Sequence, residues 1–370
     1  MFLHQLSLEN FRNYTSCSLT FRRNLNIFFG SNAQGKTNLL EAILLLSVAK
    51  SHRTPHHRQL IYWDEKEARI TGLLTRLGRE WELSLKLSPK GKTAFINRLE
   101  QQRLSDFVGH LNVVIFAPED VNLVKDGPGR RRRFLDMEMA QISPHYLYDL
   151  TRYYRLLQQR NKLLKSEEAF RQSDLLDTWD EQLAQCGVKI LQKRRQFIRN
   201  LQTWASSLHR QFTDGREEMT LDYQMSIPID EQQPQADAVA AYYDALTAGR
   251  QQDLRRGTSL LGPHRDDLRI YVNGKDVQLY GSQGQQRTAA LSLKLAELEL
   301  IRQEVGEYPL LLLDDVLSEL DPQRQSDLIA SIRPEVQTFI TTTHLDGLAG
   351  VDMQDADVFY VERGQIHPNI

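Results

Sequence analysis

The clearest pattern in this chain is a change of period between short, wholly apolar runs and long mixed ones. Asn26-Ile-Phe-Phe29 and Leu310-Leu-Leu-Leu313 are too apolar for surface strands. They predict central strands buried on both faces, as in a parallel sheet. Thr338-Phe-Ile-Thr-Thr-Thr343 is β-branched and predicts a third strand. Asn38–Leu46 predicts the helix that follows the first of them. Hairpin-like runs near Glu67–Leu87, and two short alternating runs around Asn273-Gly274, predict antiparallel pairs. From about residue 119 to 254 the pattern turns helical, with Leu/Gln/Arg-rich segments such as Tyr146–Leu164 and Leu183–Leu208 and a polar loop over Asp230–Gln235. The expected fold class is α/β: a head over residues 1–118 and 255–370, with a mixed sheet of parallel core and antiparallel edge, interrupted by an α-helical arm over 119–254.

The head also carries the candidate chemistry. Gly30-Ser31-Asn32-Ala33-Gln34-Gly35-Lys36-Thr37 is a complete G-x-x-x-x-G-K-[ST] phosphate loop, set between a predicted strand and a predicted helix as that motif requires. Gly30 and Gly35 let the backbone curl so that its N–H groups face a phosphate, and the helix opening at Asn38 adds partial positive charge. Ser31 to Gln34 and Asn38 complete the nucleotide-binding segment. Lys36 would reach the β- and γ-phosphates of ATP, and the Thr37 hydroxyl would bind Mg²⁺. Asp314 and Asp315 end the Leu310–Leu313 strand. Asp314 would hold Mg²⁺, and Asp315 would orient or deprotonate an attacking water. Many ATPases of this kind carry Glu at that place, so the shorter Asp predicts slow turnover. His344 follows the third strand, where open α/β sheets bind ligands, and could donate to a γ-phosphate.

Ser282-Gln283-Gly284-Gln285 opens a helix read as amphipathic from Leu291 to Leu300. Ser282, Gly284 and Gln285 would form a second anion site at a helix N-terminus, although an ordinary N-cap accounts for the same spacing. Ser318-Glu-Leu-Asp321, before Pro322, fits either a loop across a dimer interface or a helix cap followed by proline.

Six blocks together resemble the RecF family of SMC-related ATPases: Leu6-Ser-Leu-Glu-Asn-Phe-Arg-Asn-Tyr14, the phosphate loop, Phe116-Ala-Pro-Glu-Asp120, Arg131-Arg-Arg-Phe-Leu-Asp136, Leu261-Gly-Pro-His-Arg-Asp-Asp267 and Ser282-Gln-Gly-Gln-Gln-Arg287. The resemblance runs from end to end. It implies an ABC-type, SMC-like ATPase head with a short helical arm in place of a long coiled coil. It also implies an ATP-dependent head-to-tail homodimer in which each signature segment serves the other subunit's nucleotide. Weak, DNA-stimulated hydrolysis would reset the dimer. The implied partners are double-stranded DNA, single-/double-strand junctions at gaps, and RecR and RecO in loading RecA. Glu119, His264 and Asp266 are raised by the resemblance alone, and a nucleotide contact near Arg12 by analogy with SMC-type heads. Gln283 departs from the common ABC signature Ser-Gly-Gly-Gln, as expected of this family.

Composition changes the picture little. The content is 41% hydrophobic and 25% charged, with a net charge of −2, ordinary for a soluble protein and not globally basic. Locally, residues 151–200 hold 11 Lys+Arg against 6 Asp+Glu, and Arg130, Arg131, Arg132 and Arg133 form a run just before them. Such a face either neutralises DNA phosphates or is simply a solvated helical surface. With no aromatic stacking stripe or base-reading module, duplex shape and backbone would be read rather than sequence. Cys17 and Cys186 lie far apart without metal-ligand spacing, which predicts reduced thiols in a cytoplasmic protein; the resemblance implies that it is nucleoid-associated when on DNA. No signal peptide and no membrane span are expected, since Ala42–Ala49 is the longest apolar run. An ATP-binding interaction scaffold and a transporter-type nucleotide-binding engine share the ATP motifs. The arm and the absence of membrane-partner segments weigh against the transporter, and Asp315 against a hydrolytically dead scaffold.

Overall fold

The computed structural model describes residues 1–166, 173–230, 232–317, 322–345 and 353–368. Its strands are β1 (Phe2–Phe11), β2 (Tyr14–Thr20), β3 (Leu25–Phe29), β4 (Ala68–Arg76), β5 (Arg79–Ser88), β6 (Gly91–Ile96), β7 (Leu99–Glu100), β8 (Val113–Phe116), β9 (Met219–Gln224), β10 (Asp267–Val272), β11 (Lys275–Asp276), β12 (Leu310–Asp314), β13 (Thr338–Thr342), β14 (Ala356–Glu362) and β15 (Gln365–Pro368). The helices are α1 (Lys36–Val48), α2 (Leu104–Phe107), α3 (Asn122–Lys125), α4 (Pro128–Ile142), α5 (Pro144–Leu164), α6 (Ser173–Phe212), α7 (Gln235–Arg256), α8 (Val277–Tyr280), α9 (Gln283–Val305) and α10 (Pro322–Ser331). Contacts divide the chain into two units. One comprises Met1–Val121, Gln211–Gly215 and Ala290–Ile370, the other Asn122–Arg210 and Arg216–Ala289.

The first unit holds two six-stranded sheets. One, ordered β2-β1-β4-β5-β6-β7, is antiparallel throughout. The other, ordered β15-β14-β3-β13-β12-β8, is parallel except at the β14–β15 edge. The mixed sheet is thus the one the apolar runs predict; the separate antiparallel sheet is not visible in those runs. Every residue of β12 and β13 is buried, the signature of strands covered on both faces. Helix α1 packs against β4 and β5 of one sheet and β8, β12 and β13 of the other. That explains why Leu39 to Ser47 are all buried and the helix has no polar stripe. Phe21, Phe28, Phe339 and Phe359 close one side of the core, with Phe21 edge-on to Phe339 at 5.0 Å.

Helix α9 departs from its amphipathic reading. Thr288 to Leu298 are buried on every side. The polar positions that imitate a solvent face, Lys294 and Glu297, form an ion pair of 2.7 Å with side chains 2% and 1% exposed. A sequence pattern cannot tell a paired buried charge from a solvated one.

The second unit is built on α5, α6 and α7. Helix α6, with 40 residues, is roughly 60 Å long at the usual rise. Buried arginines lock these helices together. Arg160 donates to Asp180 (2.5 Å), Asp253 (2.6 Å) and Ser259 (2.8 Å), and Arg194 donates to Tyr146, Tyr223, Asp136 and the Pro263 carbonyl. Strand β9 lies inside the stretch read as helical. Its residues pair along the full length of β10, and this ladder ties residues 267–272 into the second unit. The turn after β10 has Asn273 and Gly274 in left-handed conformations (φ 50° and 72°), as a two-residue hairpin requires. No helix among the described residues is long and apolar enough to cross a membrane.

Candidate nucleotide-binding site

The parallel register brings the candidate residues of the first unit to one edge. Phe29 pairs with Thr342, and Thr341 with Asp314. The phosphate loop, the two carboxylates and the segment leading to His344 therefore leave adjacent strands at their carboxyl ends, where open parallel sheets bind ligands. A cleft of about 340 Å³ there is lined by Asn32, Ala33, Gly35, Lys36, Thr37, Asn38, Arg53, Asp315 and Thr341.

Two glycines are demanded by geometry. Gly30 has φ 146°, and a Cβ on it would lie 2.3 Å from the Val361 carbonyl oxygen. Gly35 has φ 122°, and its Cβ would collide with Asn13 and the Tyr14 hydroxyl. The loop is held from outside as well. Asn13 Nδ2 donates to the Gln34 carbonyl (2.9 Å), Tyr14 donates to the Gly35 carbonyl (3.1 Å), and Gln34 Oε1 accepts from the Arg363 N–H (2.7 Å). Lys36 Nζ curls over the loop to the carbonyls of Gly30 (2.5 Å) and Ser31 (2.8 Å). Burial lowers its pKa, against the pull of Asp315 and Asp314.

Thr37 Oγ1 and Thr341 Oγ1 both donate to Asp314 Oδ1, at 2.9 and 2.8 Å. Burial raises the Asp314 pKa despite these bonds. A desolvated carboxylate beside a threonine hydroxyl is the hard-oxygen pair that Mg²⁺ prefers. Among the described residues no three His, Cys, Asp or Glu gather to hold a metal. A cation here would take two protein oxygens and fill its shell from phosphates and water. Asp315 turns the chain with φ 53°, while its N–H donates to Thr341 Oγ1 (2.9 Å). His344 is exposed, its backbone bracketed by the Thr342 hydroxyl. Ser318–Asp321 lies outside the described residues.

Beside the loop is a feature the motif reading missed. Glu41, one turn into α1 and fully buried, accepts two hydrogen bonds from Arg12 at 2.8 Å and one from Ser51 at 2.5 Å, with Arg53 3.7 Å away. Burial pushes Glu41 up, but the Arg12 and Ser51 hydrogen bonds and the Arg12 charge together hold it below the usual carboxylate range. Arg53 donates to Asn38 (2.9 Å) and lines the phosphate cleft. With Asn38 and Arg12 it also lines a neighbouring cleft of about 520 Å³ that contains Trp63, 83% exposed. The signal was a single carboxylate inside Leu39–Leu46, which cannot be buried there without a cation.

In the second unit, Ser282 and Gln285 form a reciprocal capping box. The Ser282 N–H donates to Gln285 Oε1 (2.9 Å) and the Gln285 N–H to Ser282 Oγ (3.2 Å). Gly284 lies in the first turn of α9. The arginine run needs correcting. Arg131 is buried and gives a two-pronged bond to Asp267 at 2.7 and 3.0 Å, so it is committed to the interior and offers nothing to a DNA backbone. Arg132 donates to the Asp266 carbonyl (2.6 Å), whereas Arg130, paired with Asp126 at 3.0 Å, and Arg133 are exposed. His264 and Asp266 are structural. His264 meets Tyr153 at 2.8 Å, and Asp266 accepts from Tyr223 and from the Ser226 N–H. Burial lowers the His264 pKa to about 4.

Comparison with known proteins agrees with this architecture. The model of the RecF/RecN/SMC N terminal domain matches residues 2–366. A Bacillus cytotoxicus protein named DNA replication and repair protein RecF is 50% identical over 366 residues, covering 99% of this chain and 98% of that one. A Bacillus cereus protein of the same name is 50% identical over 368 residues, with the same coverage. A solved structure of the recombination mediator protein RecF with ATPrS in the RecFOR pathway superposes with a TM-score of 0.91 at 34% identity, covering 100% of this chain and 98% of that one. An Smc head bound to the C-winged helix domain of ScpA, covering 100% of this chain and 98% of that one, shares the fold alone, at TM-score 0.56 and 16% identity. The fold is that of an SMC-like ABC ATPase, and with half its residues identical to those of the two Bacillus proteins across its length, the chain belongs to the RecF family.

Proposed function

We propose that this chain is an ATP-gated clamp of recombinational DNA repair. ATP binds the first unit, the ATPase head. Gly30–Asn38 cradle the phosphates, Lys36 leaves its loop carbonyls for the β- and γ-oxygens, and Arg53 meets the triphosphate from the far wall. Thr37 and Asp314 are the residues that would hold a Mg²⁺, which would supply positive charge to offset that of the phosphates. Asp315 orients the attacking water, and His344 donates to the γ-phosphate. The neighbouring cleft, with Arg12 and Trp63, accepts the base end of the nucleotide.

The second unit carries both the helical arm and the signature segment, and that segment serves the other subunit. In the capping box Ser282 Oγ accepts from the Gln285 N–H, leaving the hydroxyl proton to donate to an anion. Two chains facing head to tail would sandwich two ATP molecules, and slow, DNA-stimulated hydrolysis would dissolve the dimer by a population shift. The ATP-bound dimer holds duplex DNA near single-strand gaps and works with RecR and RecO to load RecA. The observation that carries this reading is the convergence of Lys36 and Thr37, just after β3, with Asp314 and Asp315, at the end of β12, across the single intervening parallel strand β13, where Thr37 donates to Asp314 at 2.9 Å, in a chain of this family. Ser282→Arg tests the trans arrangement: nucleotide binding by the monomer should persist while ATP-dependent pairing is lost. Loss of monomer nucleotide binding would place the signature in cis and overturn the sandwich.

A further inference from the structure

Glu217 lies between the signature segment and the end of the longest helix of the second unit. Its Oε1 accepts from Gln285 Nε2 at 2.9 Å, and its Oε2 lies 3.1 Å from His209 Nε2. His209 stands three residues before the end of α6 and is fully buried. Burial lowers its pKa against the opposing pull of Glu217, so the ring is neutral near pH 7. A carboxylate only accepts hydrogen bonds, so Nε2 of His209 carries the proton and the Gln285 side chain must turn its NH₂ toward Glu217.

That orientation fixes the chemistry of the signature. With the NH₂ held by Glu217, the amide oxygen of Gln285 faces the Ser282 N–H, completing the capping box at 2.9 Å. A flipped amide would set NH₂ against N–H and lose both bonds. The segment carrying Glu217 is itself pinned. The Glu218 N–H donates to Asn273 Oδ1 (2.8 Å), the Asn273 N–H returns to the Glu218 carbonyl (2.8 Å), and Gln202 of α6 donates to the Met219 carbonyl (2.8 Å).

We infer that Glu217 is a positioning residue: it orients Gln285, and through it Ser282, to receive the partner subunit's nucleotide, and it ties that geometry to the C-terminal end of α6. The inference rests on the ATP-dependent dimer proposed above. Nothing in it involves the phosphate loop of the same chain, so nucleotide binding and pairing must respond differently to its removal.

The test is the dimerisation constant of the full chain with Mg²⁺ and a slowly hydrolysed ATP analogue, alongside nucleotide affinity measured under dilute, monomeric conditions. Glu217→Ala should weaken pairing by about tenfold or more, the loss expected for one charge-assisted hydrogen bond, with monomer nucleotide affinity unchanged. Glu217→Gln should restore pairing, because its amide oxygen still accepts from Gln285 while its NH₂ donates to the other tautomer of neutral His209. Pairing of Glu217→Ala equal to that of the unmodified chain overturns the inference. So does a parallel loss of monomer nucleotide affinity, which would mean damage to the fold, and so does a Glu217→Gln variant as weak as Glu217→Ala. An unmodified chain that fails to pair overturns the dimer reading itself, and this inference with it.

Discussion

Replacing Glu41 by Gln isolates the ion cluster that braces the phosphate loop. The carboxylate is fully buried and takes both prongs of the Arg12 guanidinium, with Arg53 3.7 Å away. An amide keeps the shape but removes the charge and turns an NH₂ toward at least one guanidinium. Removing one partner of a buried pair costs about 3–5 kcal/mol. Here Arg12 and Arg53 are 17% and 44% exposed and can turn to water, which lowers the expectation to roughly 2–3 kcal/mol. For a unit of this size that is a fall in Tm of roughly 5–10 °C. The effect has a pH signature. The folded-state carboxyl is held below its ordinary 4.5, so its stabilisation is complete above about pH 5 and is lost as pH falls through the depressed folded value. Thermal unfolding of both proteins from pH 8 to 4 should therefore give a constant gap down to about pH 5 that narrows below it. Nucleotide affinity should also drop in Glu41→Gln, since Arg53 and Asn38 lose their anchor. A Tm within about 1 °C of the unmodified chain, or a gap independent of pH, would refute the reasoning.

Other expectations follow from single contacts. Arg131→Ala should destabilise the protein by about 2–3 kcal/mol, because the buried Asp267 carboxylate loses its two-pronged partner and keeps only Arg269 at 3.1 Å; urea unfolding checks this, and a neutral result would return Arg131 to the surface. Arg130→Ala and Arg133→Ala should fold normally, and each should lower the salt slope of duplex binding by about one; an unchanged slope makes them solvated side chains. Gly30→Ala should lower Tm by about 5 °C or more even without nucleotide, since its Cβ would lie 2.3 Å from the Val361 carbonyl oxygen; an unchanged Tm would mean that β14 yields. Asp315→Asn should stop hydrolysis and lengthen the life of the ATP-bound dimer, and an unchanged lifetime with hydrolysis abolished would contradict the sandwich.

What could be read from the sequence was whatever local geometry dictates. Gly30, Gly35, Lys36 and Thr37 are spaced by the turn itself. Leu310–Leu313 is apolar because both faces are covered. Asn273-Gly274 is the turn that left-handed backbone selects. What could not be read depends on partners remote in the chain. Arg12, Glu41 and Arg53 meet only once strand, helix and loop have folded; Glu41 alone shows that some cation must be buried with it, but nothing local says which. Lys294 and Glu297 imitate a solvent face while paired in the interior. Arg131 belongs to a run that looks uniformly exposed, yet Asp267, distant in sequence, draws it inside. Strand β9 alternates apolar and polar residues as a half-buried strand does, but its six residues merge into the helical neighbourhood around them, and its partner β10 comes only at Asp267–Val272.

The central claim is that ATP, through pairing, controls the grip on DNA. It is tested most directly by measuring molecular mass and duplex affinity together at one fixed salt concentration, with ATP and then ADP. The account predicts that ATP alone doubles the mass and tightens duplex binding, and that Lys36→Ala loses both. A doubled mass without gain in duplex affinity would contradict the clamp, leaving a real dimer whose target is a protein. Equal duplex affinity with ATP and ADP at constant mass would contradict gating altogether.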